Sequence, residues 1–118
     1  MNESLRIEPP VQLSGQLVAT ENVSLMDGRY KISKGDPIAV LIYMVHHHED
    51  VWIEHDKFIP ERFDPESKYY LTPGGKKRSP LAFNPFTGGR RVCVGKTFAE
   101  TISKFIVPVI IGRFKFEI

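Results

Sequence analysis

The distribution of proline most restricts what this chain of 118 residues can fold into. Prolines recur at short intervals through residues 60–86, where apolar side chains show little periodicity. A long helix or a central strand is therefore excluded from this stretch. Large apolar side chains in this stretch still require burial, and so does Phe58 just before it. Those within the stretch are Phe63, Tyr69, Tyr70, Leu81 and Phe83. We predict a long ordered meander, and connections of this length in compact domains are usually functional.

Short elements are predicted before the meander. Residues 2–7 are predicted to be the end of a helix, which Pro9 and Pro10 stop. The pair Asp27-Gly28 predicts a hairpin between residues 23–25 and 29–32. Residues 38–45 form a nearly continuous apolar run, which predicts a buried strand.

After Gly95 the pattern becomes helical, with apolar residues three and four apart. These are Phe98, Ile102, Phe105, Ile106, Val109 and Ile110. Pro108 is expected to kink or shorten this amphipathic helix, and Gly112 to end it. Alternating apolar and charged residues predict a strand over residues 114–118. The predicted fold class is therefore α+β.

Composition excludes several classes of protein. The single cysteine, Cys93, excludes a disulfide framework and a multi-cysteine zinc site within the chain. No apolar run approaches the ~20 residues of a membrane span, and no secretory signal is visible. Residues 1–56 contain four basic and nine acidic residues, whereas residues 57–96 contain nine and three. This basic region favours an anionic partner or ligand, although a solvated surface would explain the charge alone.

The residues around Cys93 suggest a thiolate that binds a metal from a loop. Cys93 lies just before the predicted helix, whose N-terminus favours a thiolate over a thiol. Arg90, Arg91 and Lys96 add positive charge. Nearby glycines allow close approach of backbone to a flat ligand. The alternative is a buried cysteine that packs as a small apolar residue.

The spacing in this segment resembles the heme-binding loop of the cytochrome P-450 family, F-x-x-G-x-R-x-C-x-G. The matching positions are Phe86, Gly89, Arg91, Cys93 and Gly95, and Ala99 continues the resemblance into the helix. The segment Glu3-Ser4-Leu5-Arg6 resembles the family's E-x-x-R motif, and residues 58–63 resemble F-x-P-E-R-F. On a helix, Glu3 and Arg6 share a face, and Arg62 would complete a Glu–Arg–Arg network. Its expected role is to hold the meander against the helix and so position the cysteine loop.

The resemblance covers essentially the whole chain and implies that residues 1–118 are part of a mainly helical P-450 domain, incomplete at both ends. It implies heme b as cofactor, with the Cys93 thiolate as axial iron ligand and Arg91 paired with a heme propionate. Electron donation from the thiolate favours O–O cleavage. The implied activity is insertion of one oxygen atom into a small apolar organic molecule. A chain with only these residues is expected to be inactive and poorly soluble.

The resemblance also implies an electron donor, either a reductase or a ferredoxin, that docks on a basic proximal face. The candidate docking residues are Lys76, Lys77, Arg78, Arg90 and Lys96. Membrane attachment would come only from a part of the protein before residue 1. The implied location is the endoplasmic reticulum membrane in a eukaryote and the cytoplasm in a bacterium.

Three alternatives remain open from the sequence. The family includes isomerases and dehydratases that act on a peroxide without a reductase, and they share these motifs. A nonenzymatic heme- or metal-binding fragment is another possibility. His46, His47 and His48, with His55, could bind a transition metal, although consecutive residues point in different directions and a structural role is favoured. Nucleic-acid binding is not expected, because the basic run lacks interleaved aromatics and a recognition helix.

Overall fold

A computed structural model describes residues 1–117 of the chain. They divide into two compact units, residues 2–85 and the residues from Phe86 onward. The fold class is α+β, as predicted. The helices are α1 (Asn2–Ile7), α2 (Ile42–His46) and α3 (Lys96–Arg113). The strands are β1 (Leu17–Val18), β2 (Val23–Leu25), β3 (Tyr30–Ile32) and β4 (Pro37–Ile38).

The predicted hairpin is confirmed. Strands β2 and β3 pair antiparallel, with Leu25 opposite Tyr30 next to the turn. Met26, Asp27 and Gly28 all have positive φ angles, of 51°, 53° and 90°. Glycine and aspartate tolerate this conformation better than most residues, which explains why the chain reverses here. Strands β1 and β4 pair antiparallel on either side of the hairpin in the chain.

The strand predicted over residues 38–45 is wrong beyond Ile38. Strand β4 ends there, and α2 follows from Ile42. In α2 the buried side chains are Ile42 and His46, which are four residues apart and lie on one helix face. Tyr43 and Met44 between them are exposed. An apolar run alone did not distinguish a strand from a short helix, because only one side of this run is buried.

The meander is ordered by single 3₁₀ turns rather than by longer elements. They span Pro60–Phe63, Lys68–Tyr70 and Pro80–Ala82. Phe63 and Phe83 stack edge to face with ring centroids 4.8 Å apart. The predicted burial is wrong for Phe58 and Leu81, whose side chains are 58% and 74% exposed.

The interior of the first unit is unusually polar. Trp52 and Ile42 are its largest buried apolar residues. Equally buried are Glu3 and Arg6 of α1, and with them His46 and Arg62. Ionised groups are rarely buried unless they are paired. The stability of this unit therefore depends on the hydrogen bonds that these side chains make.

The second unit contains a loop and α3. The helix continues through Pro108, and Gly112 lies inside it rather than ending it. The last turn ends at Arg113, where the Phe114 N–H donates to the Ile110 carbonyl over 3.0 Å. The predicted strand is wrong over residues 114–117, which are irregular, and Ile118 lies outside the described residues. Within residues 1–117, no helix combines the length and apolarity needed to cross a membrane.

Candidate functional site

The segment between Phe86 and Cys93 closes on itself. The Cys93 N–H donates to the Phe86 carbonyl over 2.9 Å. Inside this ring, the Thr87 hydroxyl donates to the Arg91 carbonyl, also over 2.9 Å. A single 3₁₀ turn, Gly89–Arg91, fills the remaining span. The residues of the predicted motif therefore form one closed loop, which we call the cysteine loop (residues 86–95).

The cysteine loop presents an open face. Cys93 is a free, exposed thiol. A Cβ atom added to Gly88 or Gly89 would meet no other atom within 4 Å. A Cβ atom added to Gly95 would lie 3.7 Å from the Cys93 sulfur. An accessible thiol beside backbone without side chains fits a flat ligand that approaches the sulfur closely.

The charges around the thiol are positive. Arg90, Arg91 and Lys96 are exposed, and none of them has an acidic partner within residues 1–117. Cys93 lies three residues before the 18-residue helix α3, and its carbonyl accepts from the Lys96 N–H over 3.2 Å. The loop therefore combines a sulfur ligand with cations that could bind carboxylates.

Gly89 has a φ angle of +66°, a conformation that favours glycine. Replacing Gly89 with alanine is expected to lower the free energy of unfolding by about 1–2 kcal/mol, through backbone strain rather than a clash. The matched control is Gly88→Ala, because Gly88 is extended and its surroundings are equally open. Urea denaturation of the complete protein compares them, and equal losses at the two positions would contradict this reading.

The Glu–Arg–Arg network is assembled as the motifs predicted. Arg6 donates from Nε and Nη2 to the two carboxylate oxygens of Glu3, over 2.9 and 2.8 Å. Arg62 donates from Nε to Glu3 Oε1 over 3.0 Å, and the Ile59 N–H donates to the same oxygen over 2.9 Å. All three charged side chains are buried. Burial alone would raise the pKa of Glu3, but the donors outweigh it and the pKa is lowered.

Backbone carbonyls accept hydrogen bonds from the other nitrogens of both guanidinium groups. Arg6 donates to His46 and His55 over 2.8 Å and to Lys57 over 3.0 Å. Arg62 donates to carbonyls of the same stretch, those of Ile53, Glu54 and Lys57. Residues 53–57 therefore wrap around both arginines. Pairing of this kind is what makes a buried ionic network tolerable.

Arg78 is a third internal arginine, which the sequence analysis placed on the docking face. Its guanidinium donates to the carbonyls of Tyr69, Leu71 and Arg62 and lies 4.4 Å from the centre of the Trp52 ring. Burial, followed by the nearby Arg62 charge, lowers the pKa of Arg78. These contacts direct the Arg78 guanidinium into the first unit, which does not favour a docking role for it. The other four candidates, Lys76, Lys77, Arg90 and Lys96, are exposed.

The four histidines have different surroundings. Within residues 1–117, no group of three or more potential ligands is close enough to bind a metal ion. His46 is completely buried, His47 stacks on Tyr43 with ring centroids 4.1 Å apart, and His48 is exposed. His46 and His47 therefore contact other parts of the chain, and their part in metal binding stays a prediction. No motif indicates the individual role of His46, whose only sequence signal is the four-residue spacing from Ile42.

Comparison with known sequences agrees with the motifs. A family model described as cytochrome P450 matches residues 1–118. The chain is 40% identical over 115 residues to cytochrome P450 4F2 of Homo sapiens. It is 38% identical over 118 residues to the ultra-long-chain fatty acid omega-hydroxylase of Homo sapiens. These matches cover 98% and 100% of this chain and 20% of each relative, so the chain spans about a fifth of their length.

Comparison with solved structures gives the same result. The retinoic acid-bound cyanobacterial CYP120A1 is 32% identical with a TM-score of 0.79, over 94% of this chain and 24% of that one. The cytochrome P450DA heme domain is 29% identical with a TM-score of 0.76, over 92% of this chain and 22% of that one. The open thiol loop, the buried Glu–Arg–Arg network and these matches agree: the chain belongs to the cytochrome P450 family, whose cofactor is heme.

Proposed function

We propose that residues 1–118 are the heme-binding part of a longer heme-thiolate monooxygenase, in which the Cys93 thiolate would bind the heme iron. The observation that carries the proposal is the free, exposed Cys93 thiol in a closed loop with an open glycine face. A thiolate on the iron supplies heme with the electron donation that favours cleavage of the O–O bond. This chain alone is expected to be inactive.

The other residues of the cysteine loop would bind and orient the heme. Arg91 is exposed and has no acidic partner within the described residues, so its guanidinium can pair with a propionate. Phe86 would shield the sulfur from water, and Gly89 and Gly95 would leave room for the macrocycle. Ala99, whose N–H donates to the Gly95 carbonyl over 2.9 Å, would join the loop to α3.

We further propose that the substrate of the complete enzyme is an apolar organic molecule, specifically a long-chain fatty acid. Support comes from the names of two relatives, the human ultra-long-chain fatty acid omega-hydroxylase and the mouse leukotriene-B4 omega-hydroxylase 3. Electrons would come from a reductase that docks on exposed cations at Lys76, Lys77, Arg90 and Lys96. Because these relatives are mammalian, the proposed location is the endoplasmic reticulum membrane, which cell fractionation would test.

Replacing Cys93 with serine is expected to abolish the Soret band typical of thiolate ligation in the reduced, carbon monoxide-bound protein. A serine hydroxyl is not a thiolate, so the iron would lose its anionic sulfur ligand. The measurement is the absorption spectrum of the complete protein, with exposed Thr101→Ser on α3 as control. A thiolate-type band that survives in Cys93→Ser would refute the assignment.

The dependence of turnover on electron donors tests the reaction type. A monooxygenase requires a reductase and a nicotinamide cofactor to convert a long-chain fatty acid. Turnover of a fatty-acid hydroperoxide without either would instead identify a peroxide isomerase or dehydratase.

A further inference from the structure

His46 joins two parts of the first unit and has no role in the proposal above. It is the last residue of α2 and its side chain is completely buried. The ring nitrogen Nε2 accepts from the backbone N–H of Asn84 over 3.1 Å. The backbone carbonyl of His46 accepts from Arg6 over 2.8 Å. His46 therefore contacts the Glu–Arg–Arg network and also holds Asn84, which precedes the cysteine loop by two residues in the chain.

The Asn84 bond requires a neutral imidazole. A ring nitrogen that accepts from an N–H carries no proton, so the proton of neutral His46 is on Nδ1. Nδ1 is buried and makes no hydrogen bond of standard geometry among the described residues. The backbone of Leu5 lies against the ring and acts to raise the pKa of His46, but burial outweighs this effect. Burial, and then the charge of Arg6, lowers the pKa of His46 below its ordinary value of 6.5. Because the folded pKa is below the unfolded one, His46 stabilises the fold above about pH 6.5 and loses this contribution as pH falls.

The groups around the ring offer no counterion for an imidazolium. From α1 the nearby charge is Arg6, and the carboxylate of Glu3 is already held by Arg6 and Arg62. From α2 the titratable neighbour is His47. The segment before the loop contributes the Phe83 ring, 5.3 Å away, and the Asn84 N–H. A proton on Nε2 would face an N–H donor and add charge near Arg6.

We propose that His46 is a positioning residue for the cysteine loop, a neutral latch that fixes the Asn84 backbone and opens when its ring is protonated. The latch acts on the loop only through the chain from Asn84 to Phe86. The inference rests on the proposed function, because the loop it positions is the one proposed to bind heme.

The first test follows the thiolate-type Soret band of the reduced, carbon monoxide-bound complete protein as pH is lowered. In His46→Gln, the side-chain amide oxygen takes a place near that of Nε2, and this oxygen does not become protonated in the same pH range. We expect this variant to lower the midpoint pH for loss of the band by about one unit. The matched control is His48→Gln, whose exposed ring should leave the midpoint unchanged. His46→Leu removes the acceptor and should lose the band at neutral pH. A wild-type midpoint in His46→Gln would overturn the proposal.

A second readout does not depend on heme. Hydrogen exchange of the Asn84 amide, measured in the same complete protein, reports directly on the bond to His46. In His46→Leu we expect roughly tenfold faster exchange at pH 7, because the amide loses its acceptor. In wild type, protection should fall only as the pH drops through the pKa of folded His46, which burial lowers from its ordinary value, whereas His46→Gln should retain it. Equal protection in all variants would overturn the latch. Absence of a thiolate-type band in wild type at every pH would refute only the proposed function.

Discussion

Replacing Arg62 with alanine is expected to lower the free energy of unfolding by about 3–5 kcal/mol. The substitution leaves the buried Glu3 carboxylate with one of its two arginine partners. It also removes the donor to the carbonyls of Ile53, Glu54 and Lys57, each of which loses a hydrogen bond. Urea denaturation of the complete protein, followed by circular dichroism, measures the loss.

Two further variants separate charge from geometry in this prediction. Arg62→Lys keeps the positive charge but offers a single compact donor group, so it should recover only part of the loss. Arg29→Ala removes an exposed arginine and should change the free energy of unfolding by about 0.5 kcal/mol or less. The network interpretation fails if Arg62→Ala is no more destabilising than Arg29→Ala.

The network shows which parts of this site were predictable from sequence. Glu3 and Arg6 are three residues apart on one helix, so local geometry already predicts their pairing. Arg62 is 59 residues from Glu3, and no spacing rule joins them. Only the resemblance to a known family suggested that partner. The carbonyls of residues 53–57 carry no side-chain signal, so neither local pattern nor motif indicated that they surround both arginines.

Two differences between prediction and structure have a related physical cause. The run at residues 38–45 is apolar, but Ile42 is its one buried residue, and the next buried residue is His46, directly after the run. The family resemblance places Arg78 on a basic surface, yet its guanidinium lies against the Trp52 ring and donates to three carbonyls. In both cases contacts with other segments of the chain determine where the side chain lies, and a local sequence pattern does not predict those contacts.

The cysteine loop was predicted better than the rest of the site. The hydrogen bonds that close the loop join residues at most seven positions apart. Its backbone conformation therefore depends mainly on residues within the motif itself. The glycine predicted to allow close approach does have a positive φ angle at position 89. The positive φ angle of Thr87, 57°, had no sequence signal, because threonine seldom adopts it.

Replacing Trp52 with alanine is the second large expected effect, a loss of about 3–5 kcal/mol in the free energy of unfolding. The side chain is 1% exposed, and its Nε1–H donates to the Val45 carbonyl over 3.1 Å. The guanidinium groups of Arg78 and Arg6 lie 4.4 and 5.3 Å from its ring centre. Alanine would therefore leave a cavity, an unpaired carbonyl and two cations without an aromatic face.

The matched control for Trp52 is Phe58→Ala, because Phe58 is a large aromatic residue of the same unit. Phe58 is 58% exposed, so its truncation should cost less than about 1 kcal/mol. Trp52→Phe keeps a ring beside both arginines but loses the Nε1–H donor, and an intermediate loss is expected. The same urea denaturation measures all three variants. Equal losses in Trp52→Ala and Phe58→Ala would show that the indole is not the centre of the first unit, since only Trp52 is buried between arginines.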